Sequence, residues 1–354
     1  SGRVTVMRRR AALALVALLG VVPALATAQP VAAPEPPLRP GGLSGEAVAE
    51  RLAPPGASGW MLADLDTGEV LEAHRAERPF VPASVSKLVT ALYALDRLGP
   101  GHRFETRLVG GGRVVNGRLG GDLILEGTGD PELDSDALAD LVARLTRTGI
   151  RSVAGRLLVD GSALGPVAAI APDQPEDAAY NPGLSGLNLN FNRVRLRWRG
   201  RDAPLSVTAL GERTDPPVTL VRAERVAGRG LPRLDLGDGG ETWRVPAAAM
   251  RGRGARWLPV RRPALYAGDV LRQLAGEAGI VLPAPRPGRA PARSAVLARI
   301  EGRPLAQVLR EMLDYSTNLT AEAVGLAASG PARPAAGQGA IALSSGRMSR
   351  WAAD

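Results

Sequence analysis

At 354 residues the chain can bury a large core and divide into two or more domains. It has no cysteine, which excludes a disulfide framework and thiolate chemistry, and its two histidines, His74 and His102, stand in no metal-ligand spacing, so no metal or other cofactor is expected. The net charge of +9 comes from 44 basic residues dispersed among 35 acids, a pattern that argues against a nucleic-acid partner.

The first residues read as a targeting segment. Met7 opens the basic run Arg8-Arg9-Arg10, an apolar stretch follows from Ala11 to Leu25, and Ala26-Thr27-Ala28 supplies small residues for cleavage. Residues 7–28 are therefore expected to be a signal peptide, with Gln29 first in the mature chain, and the six residues before Met7 an over-extended start. The apolar run is short and soon meets Pro30, so a membrane span is not expected. Loss of the four leader arginines lowers the charge to about +5, and the exported protein is expected in the periplasm, with peripheral or no membrane association.

Residues 29–43 are Pro- and Gly-rich and read as a linker. A short helix is expected at 44–52, then strands at 59–65 and 69–73 joined by the turn Asp66-Thr67-Gly68. Asp-Thr-Gly also serves as the catalytic loop of aspartic proteases, but that mechanism needs a second such loop, and none follows. From Ser84, Val85, Leu88, Val89, Leu92 and Leu95 form the apolar stripe of a helix that ends at Gly99-Pro100.

Residues 101–262 have a strand-rich texture and read as one or two inserted modules. Strands are expected at 104–109, 113–115 and 118–126, the last two joined by an Asn116-Gly117 turn. A helix at 135–146 has Asp134 as its N-cap, and a strand follows at 152–159. Leu187, Leu189 and Phe191 alternate, then Val194, Leu196 and Trp198 alternate out of phase, which predicts a bulge or break near Asn192-Arg193. From 263 to 354 the pattern returns to helix, at 268–278, 304–313, 318–328 and from about Leu343.

One residue stands out chemically. Lys87 is the only lysine among the 44 basic residues. Arginine keeps its proton in a protein, whereas lysine can release one when burial or a neighbouring cation favours the neutral amine. Ser84 lies one turn earlier, in the first turn of its helix, where free N–H groups favour developing negative charge. Ser84-x-x-Lys87 therefore reads as a nucleophile and its base. Ser316-x-Asn318 falls at a break between two helices, where the hydroxyl could pass a proton to a leaving amine and the amide could hold Lys87 and a substrate backbone.

Four segments carry a resemblance: Pro82-Ala83-Ser84-Val85-Ser86-Lys87-Leu88-Val89-Thr90-Ala91, Glu126-Gly127-Thr128-Gly129-Asp130-Pro131, Leu189-Asn190-Phe191-Asn192 and Ser316-Thr317-Asn318-Leu319-Thr320-Ala321-Glu322. Together they resemble the D-alanyl-D-alanine carboxypeptidase/endopeptidase family, low-molecular-mass penicillin-binding proteins with a large insert between the first and last motifs. The resemblance implies an α/β (α+β) fold: a penicillin-binding/β-lactamase-like serine transpeptidase domain in two parts, 44–100 and 263–354, split by β-rich inserted domains at 101–262. It implies an acyl-enzyme on Ser84, peptidoglycan stem peptides ending in D-Ala-D-Ala as substrates, β-lactam antibiotics as acylating agents, and catalytic roles for Ser84, Lys87, Ser316 and Asn318. It further implies an aspartate in the insert that binds the diaminopimelate amine. Asp160, in Val159-Asp160-Gly161-Ser162, is the match for it, and reads equally as a turn aspartate after a strand.

The chain departs from the family at its end. No Lys-Thr-Gly follows Ser316; Arg147-Thr148-Gly149 comes too early and reads as a helix end, and Leu343-Ser344-Ser345-Gly346 has no cation. The closing strands of the family, which supply half the oxyanion hole, are expected to be missing, and loss of one oxyanion donor costs roughly 10²–10³ in rate. Two alternatives therefore stand beside the peptidase: a β-lactamase or esterase of the same fold, and an inactive truncated fragment or binding module.

Overall fold

The computed structural model describes residues 58–200, 203–330 and 339–354. The expected signal peptide, the linker and the helix at 44–52 lie outside the described residues. The chain divides into two compact units, one extending to Leu88 and taking in residues 353–354, the other running from Val89 to Ala352.

In the first unit, β1 (Trp60–Ala63) and β2 (Val70–His74) form an antiparallel hairpin, with Trp60 stacked on His74 at 4.4 Å. The connection is a turn held by Asp64, whose Oδ1 accepts N–H bonds from Asp66 (3.0 Å) and Thr67 (2.7 Å) and the Thr67 hydroxyl (2.9 Å). Gly68 takes the left-handed conformation there, φ 75°. Asp66-Thr67-Gly68 is thus turn chemistry. A 3₁₀ turn at Ala83–Ser86 leads into α1 (Lys87–Leu98), so the helix predicted from Ser84 begins with one tighter turn.

The second unit continues with β3 (Glu105–Gly110), β4 (Val114–Val115), β5 (Arg118–Leu119), β6 (Leu123–Gly127), α2 (Ser135–Thr146), β7 (Ser152–Val153) and β8 (Leu157–Asp160). Next come β9 (Arg193–Arg199), β10 (Ser206–Thr208), β11 (Val221–Val226), β12 (Arg233–Gly237), β13 (Gly240–Pro246) and β14 (Arg253–Pro259). Then follow α3 (Pro263–Glu277), β15 (Pro285–Pro287), β16 (Ala295–Glu301), α4 (Leu305–Tyr315), α5 (Asn318–Ser329) and α6 (Ala340–Ala353).

A five-stranded mixed sheet, ordered β15-β8-β6-β3-β16, carries the main core. Leu108, Leu123, Leu125 and Leu157 are fully buried in it, and α2 and α3 pack against each other and against its strands. Gly268 allows α3 its close approach, since a Cβ there would stand 2.5 Å from Val159 Cγ1. Two smaller sheets, β10-β9-β14 and β11-β13-β12, extend the same core through Trp243, Val245 and Leu258.

Several expectations shift. The strand predicted at 118–126 is two strands, β5 and β6, broken at Gly120-Gly121. Helix α3 starts at Pro263, five residues before the predicted 268. Proline suits the first turn, and the buried Glu241 carboxylate, from β13, accepts the N–H groups of Arg261 and Arg262 just before it. The boundary expected at residue 262 also moves: α3, β15 and β16 belong to the sheet and core of residues 105–160, because β16 pairs with β3 and β15 with β8. The segment 187–191 is not a strand. Asn190, Phe191 and Asn192 are left-handed in succession (φ 48°, 55° and 51°), and this turn is the break that produces the change of phase before β9.

A second apolar cluster joins α1, α4, α5 and α6 through Tyr93, Ala94, Leu309, Met312 and Val324, with Trp351 edge-on to Tyr93 at 5.4 Å. This cluster fixes the α4–α5 corner that carries residues 316–318.

Candidate active site

Ser84 and Lys87 are brought together. Lys87 Nζ lies 3.1 Å from Ser84 Oγ and donates to it; with the amine neutral, the same contact would let the serine donate instead. Ser84 is exposed, whereas the lysine is 7 % exposed. The local chain explains the pairing. Pro82 precedes the turn, Val85 N–H bonds to Pro82 C=O at 3.0 Å, and the Ser86 hydroxyl bonds to Ala83 C=O at 2.8 Å. Ala83 is held left-handed at φ 44°, a conformation that costs an ordinary residue about 1 kcal/mol. That strain sits beside the candidate nucleophile, where strained backbone is characteristically found. An exposed hydroxyl against a buried amine, at the start of a helix, is an arrangement for making and stabilising an alkoxide.

The second motif forms the corner between α4 and α5. Ser316 is left-handed (φ 56°, ψ 39°), ends α4, and bonds its N–H to Met312 C=O. Such a C-terminal position ordinarily favours glycine, so a serine here carries conformational cost. Thr317 is the N-cap of α5, and Asn318, its first residue, is half-buried and reaches Tyr180 C=O from Nδ2 at 3.5 Å. Ser316 itself is exposed.

Asp160 ends β8 and is buried. Its carboxylate accepts N–H bonds from Ser162 (3.0 Å) and, across the fold, from Ala290 (2.7 Å). Burial pushes its pKa upward, but the Ser162 hydroxyl and the two amides outweigh it, and the net shift is downward. Both oxygens are engaged with the protein's own loop. Of the histidines, His74 stacks on Trp60 and His102 meets Phe104 edge-on at 4.9 Å.

The other two motifs are built around buried polar groups that composition and spacing did not reveal. Thr128 closes a loop onto Glu105 by an N–H to C=O bond (3.0 Å) and accepts Glu105 N–H at 2.8 Å. Asp130 beyond it is buried, and its pKa is pushed up to about 6 by burial; the Glu132 amide opposes this, the charges of Glu132 and Asp134 add to it, and Arg303 opposes it again. Gly302 packs against it so closely that a Cβ there would lie 2.6 Å from Asp130 Oδ2. In Leu189-Asn190-Phe191-Asn192, the Asn190 side chain accepts Ser135 N–H at 3.0 Å and donates to the Ser135 hydroxyl at 2.7 Å. Asn192 accepts Leu189 N–H and donates to Gly183 C=O and Asn188 Oδ1. The only local signal for these roles is asparagine's tolerance of positive φ.

Comparison with known proteins bears out the resemblance seen in the sequence. Residues 45–349 match the D-Ala-D-Ala carboxypeptidase 3 (S13) family, and the chain belongs to that family. It is 33% identical over 240 residues to a D-alanyl-D-alanine carboxypeptidase of Actinomadura sp. (strain R39), covering 65% of this chain and 40% of that protein. It is 28% identical over 328 residues to the carboxypeptidase Rv3627c of Mycobacterium tuberculosis, covering 83% of this chain and 57% of the relative. The chain therefore spans roughly half the length of these relatives, or less. The crystal structure of penicillin binding protein 4 (dacB) from Haemophilus influenzae superposes with a TM-score of 0.61 at 22% identity, over 76% of this chain and 61% of that one. Its complex with a novel β-lactam gives 0.62 at 21% identity, over 79% and 63%. These likenesses show the penicillin-binding serine peptidase fold expected from the sequence.

Proposed function

We propose that this member of the D-Ala-D-Ala carboxypeptidase 3 (S13) family is a serine-type carboxypeptidase/endopeptidase acting on peptidoglycan stem peptides, exported to the periplasm by the segment 7–28. The observation that carries the proposal is the 3.1 Å contact between an exposed serine hydroxyl and a buried lysine amine. In this reading the neutral Lys87 amine takes the proton from Ser84 Oγ as the oxygen adds to the carbonyl between two D-alanines. The tetrahedral intermediate collapses, the carbon–nitrogen bond breaks, and the Ser316 hydroxyl passes a proton to the departing D-alanine amine. Water then releases the acyl group from Ser84, with its proton returning through the same groups. Asn318 donates its amide to the substrate backbone. Asp160 accepts Ser162 N–H at one carboxylate oxygen and Ala290 N–H at the other, and so ties its own turn to the loop of Ala290.

A β-lactam would acylate Ser84 in the same way, with ring opening in place of departure of D-alanine. A fluorescent penicillin tests the proposal. Covalent label on the peptide containing Ser84, absent in Ser84→Ala, is the expected result. Label on another residue, or none, would overturn it, and rapid penicillin turnover without accumulated label would favour a β-lactamase.

A further inference from the structure

The arginines of β9 are arranged, not scattered. Val194, Leu196 and Trp198 point into the core and are buried. Strand alternation therefore sends Arg193, Arg195, Arg197 and Arg199 to the opposite face. Residues two apart on a strand are about 6.6–6.8 Å apart, so the four form a straight row of roughly 20 Å. On β14, Arg253 stands opposite Arg199 and extends the row at its end, and Arg199 and Arg253 are exposed. The flanking positions differ along the row: Arg197 lies between Ser206 and Ala255, and Arg195 between Thr208 and Trp257. The ridge of guanidinium groups thus has small neighbours on both sides at Arg197 and is bordered by the Trp257 ring at Arg195.

Charge on this ridge is poorly balanced. Among the described residues Asp215, paired with Arg197, is the one carboxylate at ion-pair distance from these five arginines. Arg193 instead lies over the rings of Phe191 (5.1 Å) and Trp257 (5.3 Å). Like charges at neighbouring sheet positions are destabilising, so a row of four joined by a fifth across the ladder carries a cost that a binding role would explain. A single small anion would be met by a convergent pocket; here the donors are in line, and each guanidinium fork matches a phosphate.

We infer that the outer face of the β10-β9-β14 sheet binds a linear phosphodiester polymer, chiefly through Arg195, Arg199 and Arg253. None of these arginines is among the residues assigned to acyl transfer, and the surface would hold the protein on a phosphate-bearing envelope polymer. Affinity is expected to fall with salt as counterions are released, and to fall less steeply once arginines are removed.

The test uses poly(glycerol phosphate) as probe, with inorganic phosphate, mixed-sequence single-stranded DNA and phosphatidylglycerol vesicles as comparison arms. Binding is measured across a salt series for the wild type, for the triple variant Arg195→Gln/Arg199→Gln/Arg253→Gln, and for the charge-matched control Arg118→Gln/Arg286→Gln/Arg293→Gln. The expected result is polymer binding that the triple variant weakens at least tenfold with a shallower salt slope, while the control retains it and both variants melt as the wild type does. No polymer binding, an equal loss in the control, or tighter binding to DNA or vesicles than to the polymer would overturn the inference. Should the triple variant fail to melt cooperatively, Arg199→Gln alone, at an exposed position, must still weaken polymer binding about threefold or the inference is wrong.

Discussion

Lys87 Nζ and Ser84 Oγ meet at 3.1 Å across the junction between a 3₁₀ turn and an α-helix, with the amine buried and the hydroxyl open to solvent. The pair depends on an amine that can be neutral. Arginine at position 87 would keep the cation and the helix but could not accept a proton. Lys87→Arg is expected to slow acylation by fluorescent penicillin by ~10²–10⁴, the range of a lost general base, with label still directed to Ser84 in what remains. An acylation rate within a factor of a few of wild type would remove Lys87 from the mechanism.

Ser316 offers a separation of chemistry from strain. Both Ser316→Ala and Ser316→Gly delete the hydroxyl, but only glycine relaxes the left-handed backbone at φ 56°. The two variants should lose turnover equally, while the glycine form is more stable than the alanine form by about 1 kcal/mol. Turnover of a D-Ala-D-Ala peptide and chemical denaturation, measured on the same samples, check both halves. A fully active glycine variant would show that the hydroxyl is dispensable.

The helices and the Ser84–Lys87 contact were legible because their signals are local. The apolar stripe from Val85 to Leu95 and the isolated lysine need no knowledge of the rest of the chain. Asn116-Gly117 likewise gave its turn, with both residues at positive φ (50° and 74°). What escaped was set by partners distant in sequence. β16 joins the sheet only because β3 is there to pair with it, and α3 begins early because a β13 carboxylate caps the amides before it. The three left-handed residues 190–192 mimicked a strand in their alternation of Leu189 and Phe191. Their conformation is held by bonds to Ser135, Leu189 and Gly183 rather than by propensity.

That turn should be costly to disturb. Asn192 is fully buried and its amide serves Leu189 N–H (2.8 Å), Gly183 C=O (2.8 Å) and Asn188 Oδ1 (2.9 Å). Alanine would leave those groups without their partner and place a Cβ residue at φ 51° with no compensating local bond. Asn192→Ala is expected to cost about 4 kcal/mol, from unsatisfied buried groups at ~1–3 kcal/mol each. Asn192→Asp should be at least as damaging at neutral pH, because it replaces a donor to two acceptors with a carboxylate, and less so in acid. Urea denaturation of both variants decides this, and a loss under about 1 kcal/mol would show that the network is not what holds the turn.

Asp130 makes stability depend on pH in an unusual direction for a carboxylate. Its pKa rises from 3.8 to about 6 in the folded protein, with burial as the leading cause. The folded state therefore prefers the protonated form. The stabilisation linked to this group is complete below about pH 4 and is lost as pH rises through 6. A tenfold change in proton affinity is worth about 1.4 kcal/mol, so the full loss is about 3 kcal/mol. Asn is close to the protonated side chain in shape and cannot ionise, and it still accepts the Glu132 N–H, which Asp130 takes at 3.0 Å. Asp130→Asn should thus differ from wild type by a constant offset below about pH 4, gain on it as the pH rises through about 6, and hold that gain to pH 8. The gain should develop between the unfolded-state and folded-state pKa values, from about pH 4 to about 6, and level off above them. Denaturation midpoints of the two proteins across that range measure the difference directly. A gap that stays flat from pH 4 to 8 would mean that Asp130 ionises in the fold as easily as in the unfolded chain.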